Sequence, residues 1–297
     1  MNDSRTRPFL RTALVFAAIA GAFAFAIFAA GPIHQAFVGK AWAFARTFRY
    51  LLLVSLVAVF LVSAKPWRDA PPDFYGLRGP RSRPWCLLVG AALSFAILLA
   101  DVLGQAAAGS ITWDTTDGAS KFWQRLAPTA AAAVGLGVVE EVFFRGWLFA
   151  RMSRGRGAFA AAAWTALLFA LPPAFQGSKA GRDLSPDVSG AMDAMSAWGG
   201  YIADPRGFLP KFVGLLGLSM VLTTAYRRFG TLWICVGIHG GAHLFMQLCA
   251  ALTKRDPETW NWAGSKWLYD GVPAWGLMAL LAWGLWPKKA AGGATLD

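Results

Sequence analysis

Apolar residues along this chain collect in eight runs, at about residues 9–30, 48–64, 84–104, 126–150, 157–175, 208–226, 231–251 and 272–286. A helix needs ~20 predominantly apolar residues to cross the hydrocarbon core of a bilayer, and most of these runs meet that length. The second is close to the lower limit and the last is short. The pattern predicts an all-α fold, a polytopic membrane helix bundle of about eight transmembrane helices in a single membrane domain over residues 1–297. The longest polar stretch, 176–206, reads as an external loop with a short helix around 192–201. Arg5, Arg7 and Arg11 precede the first run as they would in a signal peptide. That run is long for a signal h-region, so a retained signal-anchor helix is expected.

Composition supports a membrane setting. Of 297 residues, 56% are hydrophobic and 15% charged, and the mean hydropathy is +0.45, whereas soluble domains carry ~25% charged residues. The tryptophans gather near the ends of the apolar runs, as interfacial anchors do. Cys86, Cys235 and Cys249 lie within apolar runs without CxxC spacing and read as small core residues, not a disulfide framework or a thiolate metal site. The net charge of +12 is spread between the runs and forms no single patch. It therefore points to a lipid bilayer with anionic headgroups as partner and not to nucleic acid. Placing the N-terminus inside puts a majority of Lys and Arg in the cytoplasm and makes the 4–5 and 6–7 connections purely basic. Both termini are accordingly expected to be cytoplasmic. The short basic loops and Ala/Arg-rich composition suggest a multi-pass protein of a bacterial inner (cytoplasmic) membrane.

The candidate chemistry begins in the fourth run, LAPTAAAAVGLGVVEEVFFRGWLFA, which carries Glu140, Glu141 and Arg145. A charged side chain at the centre of a membrane helix costs ~2.5–3.5 kcal/mol on insertion scales, so such residues mark function or paired networks. Glu141 and Arg145 are four residues apart and should pair on one helix face. Glu140 is turned ~100° from Glu141 and is left for another task, such as general acid or base. Taken alone, the three residues fit a structural ion-pair network nearly as well as catalysis.

The seventh run shifts that balance. It carries His239 and His243, again four apart, and the chain has only one other histidine, His34, placed in a loop near the first run. Gly240 and Gly241 between them would let a helix or a substrate backbone approach closely. In the proposed topology the fourth run ends in the cytoplasm about ten residues after Glu140, and the seventh starts there about nine residues before His239. At ~1.5 Å per residue the two side chains reach matching depths in the inner half of the bilayer. Two chemistries fit a Glu–His pair there. Glu140 could polarise a water that attacks a peptide carbonyl while histidine stabilises the oxyanion or passes protons. Alternatively, Glu140, His239 and His243 could ligate a divalent metal such as zinc, although no HExxH motif is present. Water activation without metal or other cofactor is favoured.

At these residues the chain resembles the CAAX-protease and bacteriocin-processing (CPBP) family of intramembrane glutamic endopeptidases. The hallmark EExxxR is intact at Glu140, Glu141 and Arg145, followed by Gly146, and HxxxN or a variant appears as His239 to His243. The family-like catalytic core spans about 126–251. The resemblance implies that Glu140 activates the hydrolytic water, that His239 and His243 contribute to the oxyanion site, and that Glu141 and Arg145 support them. One hallmark departs: FxxxH on the fifth helix reads Phe169-Ala170-Leu171-Pro172-Pro173, with Pro173 in place of histidine. His243 takes over that duty, the branch is divergent, or catalysis is weak. The double proline should end or kink the fifth helix.

The expected activity is that of a metal-independent intramembrane peptidase acting on a membrane-anchored or lipid-modified protein or peptide. The alternative is a non-catalytic bacteriocin-immunity or scaffold protein of the same fold. A proton-relay transporter would want internal symmetry, which the chain lacks. Asp101 is expected to be interfacial or paired in the bundle; Asp114, Asp117, Asp183, Asp187, Asp193 and Asp204 are expected to be solvated external charges. Phe143, Phe144 and Trp147 either line a substrate groove or pack. The basic, proline-rich stretch 65–83 reads as a headgroup-facing cytoplasmic loop.

Overall fold

The computed structural model describes residues 6–38, 83–114, 118–150, 157–174, 184–202, 205–255 and 268–286, with residues 77, 152, 153 and 264 and scattered positions between 44 and 59. Most of the second run, nearly all of 65–83, and Asp117, Asp183 and Asp204 lie outside the described residues. In chain order the helices are α1 (Thr6–Ile33), α2 (Trp85–Ala107), α3 (Gly118–Glu141), α4 (Ala158–Ala174), α5 (Val188–Ile202), α6 (Pro205–Phe229), α7 (Leu232–Leu252) and α8 (Val272–Leu285). Two π-helical stretches, His34–Val38 and Val142–Phe149, continue α1 and α3. The protein is mostly helical. The described residues depart from an all-α fold in one short antiparallel ribbon, β1 (Ile111–Trp113) with β2 (Thr253–Arg255).

These residues form two compact units, 1–69 with 175–205 and 70–174 with 206–297. In the first unit, Pro32 near the end of α1 lacks the N–H of the regular ladder, and the wider π-helical turn follows directly. His34, expected in a loop, sits on that turn. It is buried, with Nδ1 2.9 Å from Thr47 Oγ1 and its ring edge-on to Phe44. α5 starts a few residues before the expected 192–201 helix because Asp187 caps it. Its Oδ1 accepts from the Gly190 amide at 2.9 Å and from the Ser185 and Ser189 hydroxyls. Asp187 is thus a helix cap and not merely a solvated charge. The Gly190 amide, then the two serine hydroxyls, hold its carboxyl below the ordinary carboxylate range.

In the second unit, α7 packs most extensively against α2 and α3. Glycine makes this possible, because membrane helices associate through close van der Waals contact of small residues. A Cβ on Gly237 would strike the Leu87 carbonyl of α2, and one on Gly241 would lie 2.8 Å from Ala91 Cα. On its other side, a Cβ on Gly240 would meet the Ala133 carbonyl of α3 at 3.1 Å. The close partners of Gly240 and Gly241 are therefore helices. Ser94 of α2 adds a hydroxyl hydrogen bond to the Ile238 carbonyl at 2.6 Å. The ribbon joins the C-terminal ends of α2 and α7. Beside it Asp114 pairs with Lys254 at 3.3 Å and is largely covered, contrary to the expectation of a solvated charge. Asp101 is buried and accepts from Gln105 Nε2 at 2.7 Å, and Asp193 is exposed on α5.

Among the described residues, four helices are long and apolar enough to cross a membrane: Ala20–Phe37, Trp85–Ala107, Pro205–Phe229 and Leu232–Leu252. The apolar helices Ala158–Ala170 and Val272–Leu285 are shorter. This is fewer than the eight expected spans. Most of the second run lies outside the described residues, and α3 is diluted by Lys121, Gln124, Arg125, Glu140 and Glu141. Large apolar side chains such as Phe28, Leu88 and Trp283 are exposed, as on a surface that faces lipid. These features describe an integral membrane protein.

Candidate active site

The backbone changes character at the paired glutamates. Glu141 is the last residue of α3, and from Val142 to Phe149 the chain is a π-helix where a continuous α-helix was expected. Such wide turns concentrate at functional sites. The expected pairing of Glu141 with Arg145 persists across the change, with Arg145 Nη1 donating to Glu141 Oε1 at 3.0 Å and both side chains fully buried. Burial of both charges requires this neutralisation, because an isolated buried ion costs several kcal/mol.

α7 brings His239 onto both glutamates. Its Nδ1 lies 2.8 Å from Glu141 Oε1, and its Nε2 lies 3.6 Å from Glu140 Oε2. Nδ1 of His239 thus lies against a carboxylate oxygen that already accepts from Arg145, while Nε2 faces Glu140. Glu141 Oε1 thereby receives both Arg145 and His239, where sequence spacing had assigned it to Arg145 alone. Glu140 does not join that pairing. Its side chain is 22% exposed and that of His239 12%, against 0% for Glu141 and Arg145. The inner pair is sealed and the outer pair remains accessible.

Two further residues complete the cluster. Arg145 Nη2 donates to Ser219 Oγ at 2.6 Å and to the Ser219 carbonyl at 3.2 Å, which brings in α6. Phe169 of α4 lies beneath the guanidinium, 4.6 Å from its ring centre to Cζ, and meets the His239 ring edge-on at 5.5 Å. Phe169 was visible in sequence as the first residue of the altered FxxxH motif. Ser219 was not, since its run also carries Thr223 and Thr224 and nothing singles it out among them. Pro172 and Pro173 lie inside α4 as described, Ala158–Ala174, and the residues that follow, up to 183, lie outside the described residues.

His243 is not drawn into this cluster. It is partly buried one turn beyond His239, and its Nδ1 has no hydrogen-bond partner among the described residues. Four of the five sequence-derived site residues therefore converge. Among the described residues, no group of three or more His, Cys, Asp or Glu is placed to hold a metal ion. Phe144 packs into the core edge-on to Phe169, and Phe143 stacks on Trp147 at 5.8 Å.

Glu140 and His239 are too far apart for a good direct hydrogen bond, which falls at ~2.7–3.2 Å. A water ~2.8 Å from each would sit to one side of the two atoms and bridge them. The arrangement can therefore hold a water between a carboxylate and an imidazole whose other nitrogen is anchored. Over residues 122–245 the chain matches the family model described as Type II CAAX prenyl endopeptidase Rce1-like. That stretch runs from α3 to α7, contains all five site residues, and bears out the family resemblance drawn from their motifs. No curated protein and no solved structure matches the chain.

Proposed function

We propose that this protein is an intramembrane glutamic-type endopeptidase that hydrolyses a peptide bond near the C-terminus or membrane segment of a membrane-anchored or lipid-modified substrate. The observation that carries the reading is the 3.6 Å approach of Glu140 Oε2 to His239 Nε2 within the family-matching segment. Glu140 takes a proton from the water as it attacks the carbonyl carbon, and returns it to the leaving amine as the C–N bond breaks. His239, anchored through Nδ1, accepts a second hydrogen bond from that water at Nε2 and so aims its oxygen at the carbonyl carbon. In this reading the reaction needs no metal: the carboxylate supplies the base and the imidazole holds the water.

In this reading Glu140→Gln and His239→Ala abolish cleavage of a tagged single-span substrate while the protein still accumulates in the membrane. Full cleavage by the Glu140→Gln protein would remove Glu140 from the chemistry. Pro173 at the expected histidine position favours a second reading, a non-catalytic immunity or scaffold protein, in which Glu140→Gln leaves the cellular phenotype unchanged. A pull-down with the Glu140→Gln protein, read by mass spectrometry of C-terminal peptides, identifies the substrate.

A further inference from the structure

Arg145 is held by more than its partner on the same helix. Nη1 is committed to Glu141 Oε1 at 3.0 Å, while Nη2 is committed to the Ser219 hydroxyl at 2.6 Å and the Ser219 carbonyl at 3.2 Å. Both Arg145 and Ser219 are fully buried. The guanidinium is a rigid planar fork, so fixing one branch fixes the other. The oxygen that Nη1 fixes is the same Glu141 Oε1 that receives His239 Nδ1 at 2.8 Å. Without Ser219 the guanidinium would still lie over Phe169, but its second branch would be unfixed, and Glu141 Oε1 would be freer to shift away from Nδ1. Partners of this kind orient an imidazole and select its tautomer.

We propose that Ser219 is a positioning residue: acting through Arg145 and Glu141, it holds His239 as the Nδ1–H tautomer with Nε2 turned toward Glu140. Its catalytic consequence rests on the peptidase reading, whereas the tautomer itself does not. The chain has three histidines, so the full-length protein with isotope-labelled histidine, in lipid nanodiscs, gives a nitrogen NMR spectrum simple enough to assign. The His239 signals are identified by their loss in His239→Gln.

The wild-type protein should show His239 as the Nδ1–H form alone. Ser219→Ala should give a mixture of tautomers, and Ser219→Thr, which keeps the hydroxyl, should restore the single form. Arg145→Lys keeps the charge but loses the fork, so it should reproduce the mixture and supplies the same readout if Ser219→Ala does not fold. With a fluorogenic prenylated C-terminal peptide as probe, Ser219→Ala should lower kcat ~10-fold with KM unchanged, the scale of losses when a partner behind an active-site ligand is removed. An unaltered His239 spectrum in Ser219→Ala, or a wild-type His239 protonated at Nε2, overturns the proposal. If the wild-type protein cleaves no peptide, the peptidase reading falls while the spectrum still decides the role of Ser219.

Discussion

Arg145 and Glu141 share one buried charge pair, and the rest of the site is arranged around it. Truncating Arg145 to alanine leaves Glu141 fully buried without its cation, and breaking a buried pair from one side costs ~3–5 kcal/mol. Arg145→Ala should therefore unfold at markedly lower temperature in detergent. The double change Glu141→Gln with Arg145→Met should lose far less, because no charge is stranded. Comparable melting of the two variants would show that the pair is not what neutralises the interior. The pairing was legible in sequence because both residues sit on one element, four positions apart. The hydrogen bond to Ser219 was not, since it spans 74 residues and local periodicity carries no information at that distance.

Among the elements, α7 is defined by how little side chain it carries toward its neighbours. Gly237→Leu would drive a side chain into the Leu87 carbonyl of α2, a backbone atom that cannot move aside. Even alanine there should destabilise by ~1–3 kcal/mol, the usual cost of overpacking. Gly135 of α3 meets nothing within 4 Å, so Gly135→Ala should gain ~0.4–1 kcal/mol from a less flexible unfolded chain. Thermal unfolding of the pair tests this, and equal effects would contradict the close helix approach. The start of α5 makes a pH prediction. The carboxyl of Asp187 is held below its ordinary range by the Gly190 amide and the two serine hydroxyls. Its capping contribution is thus fully present above the ordinary carboxylate range and is lost as pH falls through the lowered value. Protection of the Gly190 amide, measured against its intrinsic exchange rate at each pH, should fall across that acidic window and stay flat in Asp187→Asn. Helix positions followed from the apolar runs, but the change to a π-helix at Val142 did not, because a one-residue widening leaves the hydrophobic pattern intact.

For the molecule as a whole, the balance of basic residues predicts both termini on the cytoplasmic side. A fluorescent-protein fusion at the C-terminus should fluoresce, and a periplasmic phosphatase fusion there should be inactive; the reverse would invert the topology. Eight apolar runs were legible, yet only four described helices reach the length and hydropathy of a span. Of the other four, α4 and α8 are apolar but short, the second run lies mostly outside the described residues, and α3 gives up apolar residues to carry Glu140 and Glu141. By itself the sequence determined the membrane setting, the helical elements, the Glu141–Arg145 pair and the candidate Glu140–His239 couple. The first three follow from composition or from spacing within one helix, and the couple follows from the matching depths of the two residues in the fourth and seventh runs. Only the tertiary structure decided that Glu141 serves Arg145 and His239 with one oxygen, that Ser219 and Phe169 hold the guanidinium, and that His243 stays outside the cluster. Those outcomes depend on how α3, α4, α6 and α7 are rotated against one another, and glycine-mediated backbone approach sets that rotation where α7 meets α3.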